Sequence, residues 1–154
     1  MIKRVHHIGI AVKNLKESAT LFETLLGVKA EIHSAPSQRV TEACFKIGGE
    51  VEIDLLEPMG EDSTVAKFLE KRGEGLHHIA LEVEDINAGL KEMEQKGVQL
   101  IDKAPREGVA GQIGFLHPKS ANGVLIELIE PKDKKGKMPS HASQFINKFK
   151  STDI

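Results

Sequence analysis

The order of apolar and polar positions divides the chain into two runs of elements with one plan. Residues 5–12 alternate and predict a strand, and Lys13-Asn14-Leu15 predicts a turn. Over residues 18–26, Ala19, Leu21, Phe22, Leu25 and Leu26 form a helical stripe that stops at Gly27. Residues 28–33 predict a second strand and residues 35–38 a loop. Residues 40–47 predict a strand, Gly48-Gly49 a hairpin turn, and residues 50–56 the returning strand. The second run has strands over 77–83, 98–101, 112–116 and 123–129. Its helix over 86–96 carries Ile86, Leu90 and Met93 on one face and stops at Gly97. Each run is a βαβββ module. Between them, a helix through Val65, Ala66, Phe68 and Leu69 is expected, capped by Asp62 or Ser63. The expected organisation is one domain over 1–131, with module one at 3–58, a linker helix region at 59–75 and module two at 76–131. A basic tail follows at 132–154, with a short helix through Phe145, Ile146 and Phe149.

The modules also share words. Val5-His6-His7-Ile8-Gly9-Ile10-Ala11-Val12 returns as Leu76-His77-His78-Ile79-Ala80-Leu81-Glu82-Val83. Ile53-Asp54-Leu55-Leu56-Glu57-Pro58 returns as Ile126-Glu127-Leu128-Ile129-Glu130-Pro131. Side chains alternate across a strand, so phase selects among these residues. His6 shares a face with Ile8, Ile10 and Val12, the set a helix covers, and His7 lies opposite with Gly9. His77 shares a face with Ile79, Leu81 and Val83, and His78 lies opposite with Ala80, where small neighbours leave room for a ligand. Val51, Ile53 and Leu55 turn Asp54 away from the helices. Val124, Ile126 and Leu128 do the same for Glu127. His7, Asp54, His78 and Glu127 therefore converge if the two halves curve into one trough. Duplication alone preserves a hydrophobic pattern, but it gives no reason for a mid-strand acid in both copies. Two imidazoles and two carboxylates suit a borderline divalent cation such as Co, Zn, Mn or Ni.

Bulk properties narrow the classes. The chain has 154 residues, 40% hydrophobic and 29% charged, an ordinary soluble balance. A formal net charge of −2 gives no electrostatic case for nucleic acid. No apolar run reaches bilayer length, so no membrane role and a cytoplasmic location are expected. Cys44 is the single cysteine, which excludes an internal disulfide and agrees with a reducing compartment.

At these residues the chain resembles the vicinal-oxygen-chelate superfamily, which includes glyoxalase I and extradiol dioxygenases, and within it the methylmalonyl-CoA epimerases. The narrower likeness rests on Asp62-Ser63-Thr64-Val65-Ala66-Lys67-Phe68-Leu69, Gly75-Leu76-His77-His78-Ile79-Ala80, Gly97-Val98-Gln99-Leu100, and His117-Pro118-Lys119-Ser120 leading into Gly123-Val124-Leu125-Ile126-Glu127-Leu128. The resemblance runs from Ile2 to Glu130. It implies an α+β fold, with tandem βαβββ modules forming an open, curved mixed-sheet barrel around a metal. It implies ligands at His7, Asp54, His78 and Glu127, although the family carries Gln or Glu where this chain has the shorter Asp54. It implies flanking acids at Glu42, which strand phase turns into the trough beside Cys44, and at Glu127. The implied reaction is epimerisation of a CoA thioester at its α-carbon, and the implied assembly is a homodimer. Lys119 and Ser120, or Lys67 and Arg72, are the cations and donors expected to meet the CoA phosphates. The alternatives on this fold are a glyoxalase I-like lactoylglutathione lyase and a metal-free binding protein. The four ligands argue against the second.

Overall fold

The computed structural model describes residues 1–132; the tail expected beyond Lys132 lies outside the described residues. Eight strands form one sheet. They are β1 (Ile2–Ala11), β2 (Glu31–Ala35), β3 (Val40–Ile47), β4 (Val51–Pro58), β5 (Gly75–Val83), β6 (Arg106–Glu107), β7 (Gly111–Leu116) and β8 (Ile126–Pro131). The helices are α1 (Leu15–Leu26), α2 (Thr64–Arg72) and α3 (Ile86–Gln95). The strand order β2-β3-β4-β1-β5-β8-β7-β6 reads the same from either end, module one then module two. Within each module the first strand pairs parallel to the last, β1 with β4 and β5 with β8. The modules join where β1 meets β5 antiparallel.

Each module buries its convex face under its own helix. Phe45, Leu55 and Val12 pack with Ala19, Phe22 and Leu26 of α1. Leu116, Leu128 and Val83 pack with Ile86, Leu90 and Met93 of α3. The helix starts are built alike. Asn14 Oδ1 accepts from the Glu17 N–H, and Asp85 Oδ1 accepts from the Ala88 N–H, satisfying donors that have no partner inside the helix. The repeated Glu-Pro words supply a second cap. Glu57 accepts from the Leu15 N–H and Glu130 from the Ile86 N–H. The expected helix start at Ser18 thus moves back to Leu15, because Asn14 is a cap and not merely a turn residue.

The opposite, concave face holds two smaller clusters. Val65, Phe68 and Leu69 of α2, with Ser63 as N-cap, cover Ala11, Val40 and Leu56 at one end. Ala80, Ile113, Ile129 and Phe115 pack together on the other side. One expectation fails: residues 98–101 form no strand. That stretch makes only an isolated bridge, Leu100 to Leu116, and the edge position goes to β6. Asp102 explains the switch. Its carboxylate accepts from the Phe115 N–H, 2.9 Å, and from Arg106 Nε, 3.2 Å, so a side chain takes a hydrogen bond that a ladder would have taken.

Candidate functional site

The two central strands bring two imidazoles together. Gly9 stands opposite His78 and Ala80 opposite His7 on the β1–β5 pair. A Cβ on Gly9 would lie 2.3 Å from His78 Cε1, so only glycine leaves that ring its place. His7 Nε2 and His78 Nε2 are 3.0 Å apart. Glu127 stands opposite Ala80 on β8, and its carboxylate lies 3.9 Å from His7 Nε2 and 3.6 Å from His78 Nε2. One donor atom from each of the three falls within 4.8 Å of the others, and all three residues are buried. The preceding histidines orient these rings. His6 Nδ1 lies 2.9 Å from His7 Nδ1, and His77 Nδ1 lies 3.0 Å from His78 Nδ1. In each pair one ring N–H donates to the other ring, which points the inner Nε2 toward the shared centre.

Asp54 stands apart from this group. It pairs with Gly9 on β1 and with Cys44 on β3, and its Oδ2 lies 3.9 Å from His7 Nδ1, on the far side of that ring. Its donor atom groups instead with those of Glu42 and Cys44, again within 4.8 Å of one another. Three of the four expected ligands therefore meet at one point, and the fourth belongs to a neighbouring cluster. His7, Glu42, Asp54, His78 and Glu127 all line one cavity of about 330 Å³.

Burial sets the charge states. It lowers His7 to about 3 and His78 well below its ordinary value, with the neighbouring histidines adding to the effect. Both rings are neutral at pH 7, so each keeps one unprotonated ring nitrogen. Burial raises Glu42 to about 7, with the negative charges of Asp54 and Glu52 adding to it. It raises Asp54 to about 7 against a hydrogen bond from Cys44, and Glu127 to about 8 despite Arg106. Burial also pushes the Cys44 thiol well up.

These residues fit a divalent cation. Two neutral imidazoles facing each other through Nε2, with a buried carboxylate turned to both, are the donors a borderline metal takes. Two nitrogen ligands held about 2.1 Å from one ion at right angles lie about 3.0 Å apart, the separation found between these rings. A cation would also offset the desolvation and repulsion that raise the three carboxyls.

Other expected contacts fall elsewhere. Lys119 and Ser120 sit in a short 3-10 turn, Pro118–Ser120, where Ser120 Oγ accepts from the Gln99 N–H and the Lys119 N–H donates to His117 Nδ1. Neither is among the residues that line the cavity, and Lys67 and Arg72 of α2 are not either. Two cations do line it: Lys46, which pairs with Glu31, and Arg106, whose guanidinium lies 5.2 Å over the Phe115 ring and whose Nε bonds Asp102. Sequence reading placed Arg106 in a loop and gave no signal for it. Phe115 was within reach, because it stands opposite Glu127 in the β7–β8 register.

Comparisons with known proteins identify the family. The family model for the glyoxalase/bleomycin resistance protein/dioxygenase superfamily matches residues 6–116. The mitochondrial methylmalonyl-CoA epimerase of Dictyostelium discoideum is 39% identical over 134 residues, covering 84% of this chain and 79% of the relative. The ethylmalonyl-CoA/methylmalonyl-CoA epimerase of Cereibacter sphaeroides is 37% identical over 131 residues, covering 83% and 98%. A variant of the Streptomyces coelicolor methylmalonyl-CoA epimerase, in complex with 2-nitronate-propionyl-CoA, superposes with a TM-score of 0.81 at 39% identity, over 86% of this chain and 96% of that one. With its mirrored eight-strand sheet and its paired His-bearing strands, the chain belongs to the glyoxalase/bleomycin resistance protein/dioxygenase superfamily, in the branch of the methylmalonyl-CoA epimerases.

Proposed function

We propose that the protein is a metal-dependent epimerase that interconverts (2R)- and (2S)-methylmalonyl-CoA. The observation that carries this reading is a pair of groups in one cavity. A donor set of metal type, His7, His78 and Glu127, shares it with a second buried carboxylate, Glu42 of β3. The α-carbon of the substrate lies between a thioester and a carboxylate, and its proton is only weakly acidic. A divalent cation, when bound, supplies positive charge to the oxygen that becomes negative as this proton leaves. Glu42, raised to about 7, is poised to hold or release a proton near neutral pH. Glu127 faces the reacting carbon from the other module and serves the opposite face. Water is limited by the buried walls, Val65 and Ile113 among them. Arg106 meets an anionic part of the substrate.

A glyoxalase I-like lyase uses a similar donor set, and the identities reported above favour the epimerase. Cobalt, zinc, manganese and nickel all suit these donors. The proposal extends to a homodimer and a cytoplasmic location. Among the described residues no helix is long and apolar enough to cross a membrane, and the free Cys44 thiol suits a reducing compartment.

The test is deuterium exchange at the α-carbon of methylmalonyl-CoA. Wild type exchanges, chelator abolishes the exchange and added cobalt restores it. Glu42→Gln loses about 10²–10⁴-fold while keeping its metal content. Absence of metal-dependent exchange in wild type would overturn the epimerase reading.

A further inference from the structure

The role proposed for Glu42 leaves a proton to be moved. One carboxyl takes the α-proton from one face of the substrate, and the other returns a proton to the opposite face. The substrate is then balanced, but the enzyme is not: Glu42 ends protonated and Glu127 bare, or the reverse. Before the same conversion runs again, Glu42 must hand its proton to solvent and Glu127 must take one up. Glu42 is only 7% exposed, so bulk water has little direct access to it. Its neighbours on the wall decide where that proton goes.

His33 on β2 stands directly opposite Glu42 on β3, and both line the cavity. Opposed residues of an antiparallel pair share a face, with Cβ atoms about 4.5–5.5 Å apart, so imidazole and carboxyl are joined directly or through one water. β2 is the edge strand of the sheet. The His33 side chain is 42% exposed, and its Nε2 lies 3.7 Å from Oε2 of Glu31, which is 54% exposed. Exposure thus rises step by step from Glu42 through His33 to Glu31. Lys46 of β3 pairs with Glu31 at 3.2 Å and keeps that acceptor beside the ring. Imidazole takes up a proton at one ring nitrogen and gives one up from the other near neutral pH. Module two has no such step. There Arg106 stands opposite Ile113, in the places of His33 and Glu42, and a guanidinium does not release its proton in proteins.

We propose that His33 relays protons between Glu42 and solvent and so resets the enzyme after each turnover. An O–H bond breaks at Glu42 and an N–H bond forms on the free ring nitrogen of His33. The N–H bond on the other ring nitrogen then breaks, and its proton goes to water or to Glu31. Glu42 is left bare and the ring neutral. The reverse path reloads Glu42 when the conversion runs the other way. His33 acts through Glu42 and does not touch the reacting carbon. This role rests on the epimerase reading and on Glu42 as one of its two acids.

The test is steady-state epimerisation by the full-length, cobalt-loaded protein at low buffer concentration, for wild type, His33→Ala and His33→Gln. A reset step follows product release, so slowing it lowers kcat and leaves kcat/KM unchanged. Both variants should lose about tenfold or more in kcat while keeping kcat/KM, metal content and melting temperature. Added imidazole should restore kcat in His33→Ala, with wild type run alongside to correct for imidazole binding to the metal. An unchanged kcat in His33→Ala overturns the relay. So does a loss that His33→Gln repairs, that falls equally on kcat/KM, or that imidazole leaves in place. Failure of the underlying reading looks different: wild type then shows no metal-dependent exchange, or Glu42→Gln turns over like wild type, and the relay falls with it.

Discussion

Modules one and two have one backbone plan and two different walls. Strand order, helix caps, the Glu-Pro words and one inward histidine per module are repeated. The third strand of each module is where they part. On β3, Glu42 and Cys44 face the cavity; on β7 the equivalent places hold Ile113 and Phe115. The acids on the last strands differ by one methylene, and the shorter, Asp54, lies apart from the point where His7, His78 and Glu127 meet. Repetition thus builds the floor of the cavity, and divergence of the walls gives one side a buried carboxyl and a thiol and the other an apolar, aromatic surface. In such a pair the unmatched positions carry specificity.

The largest expected effect tests whether the floor is symmetric. His78→Ala should weaken cobalt binding at least about 100-fold, whereas Asp54→Ala should weaken it less than tenfold, measured by competition with a chromogenic chelator. Equal losses would put Asp54 back among the ligands of the metal. Next comes the small residue beneath each ring. Gly9→Ala places a methyl 2.3 Å from His78 Cε1, so metal affinity should fall about 10–100-fold. Ala80→Gly, opposite His7, should cost only about 0.5–1 kcal/mol in urea unfolding and leave metal affinity near wild type.

A pH series compares the walls. Between pH 6.5 and 8 the raised carboxyls Glu42, Asp54 and Glu127 hold protons in the fold that the unfolded chain, with ordinary values of 3.8–4.5, has already lost. Stability of the metal-free protein therefore falls as pH rises through that window. Below pH 6.5 the lowered His7, His77 and His78 act with the opposite sign, because the unfolded chain then takes up more protons. Chelator-treated protein should melt a few degrees, about 2–6 °C, higher at pH 6.5 than at pH 8. Two of the three carboxyls lie in module one, so Glu42→Gln with Asp54→Asn should remove most of that difference. The smallest effect concerns the repeated caps. Asn14→Ala and Asp85→Ala should each cost about 1 kcal/mol in urea unfolding, without changing metal affinity.

Much of this was legible because strands have a period of two. Phase turned His7, His78, Glu42 and Cys44 toward the cavity, but it put His77 on the helix-covered face, whereas His77 also lines the cavity and packs edge-on against Phe68 of α2. The edge strand of module two was not legible. Residues 98–101 have the right composition, but pairing depends on a partner, and the Asp102 carboxylate occupies the Phe115 N–H that a ladder would use. Arg106 was hidden for the same reason, since its place depends on stacking over Phe115. Neither was the fate of Asp54 readable. Phase shows which way a side chain points and does not show whether it reaches.

The seam between β1 and β5 also says something about descent. Each module alone owns one imidazole and one mid-strand acid, so a single-module ancestor needed two copies, set β1 against β1, to complete the set. In such a pair every mutation struck both walls at once. Fusing the copies into one chain freed each wall to change alone, and Cys44 on β3 against Phe115 at the equivalent place on β7 is what that freedom left behind.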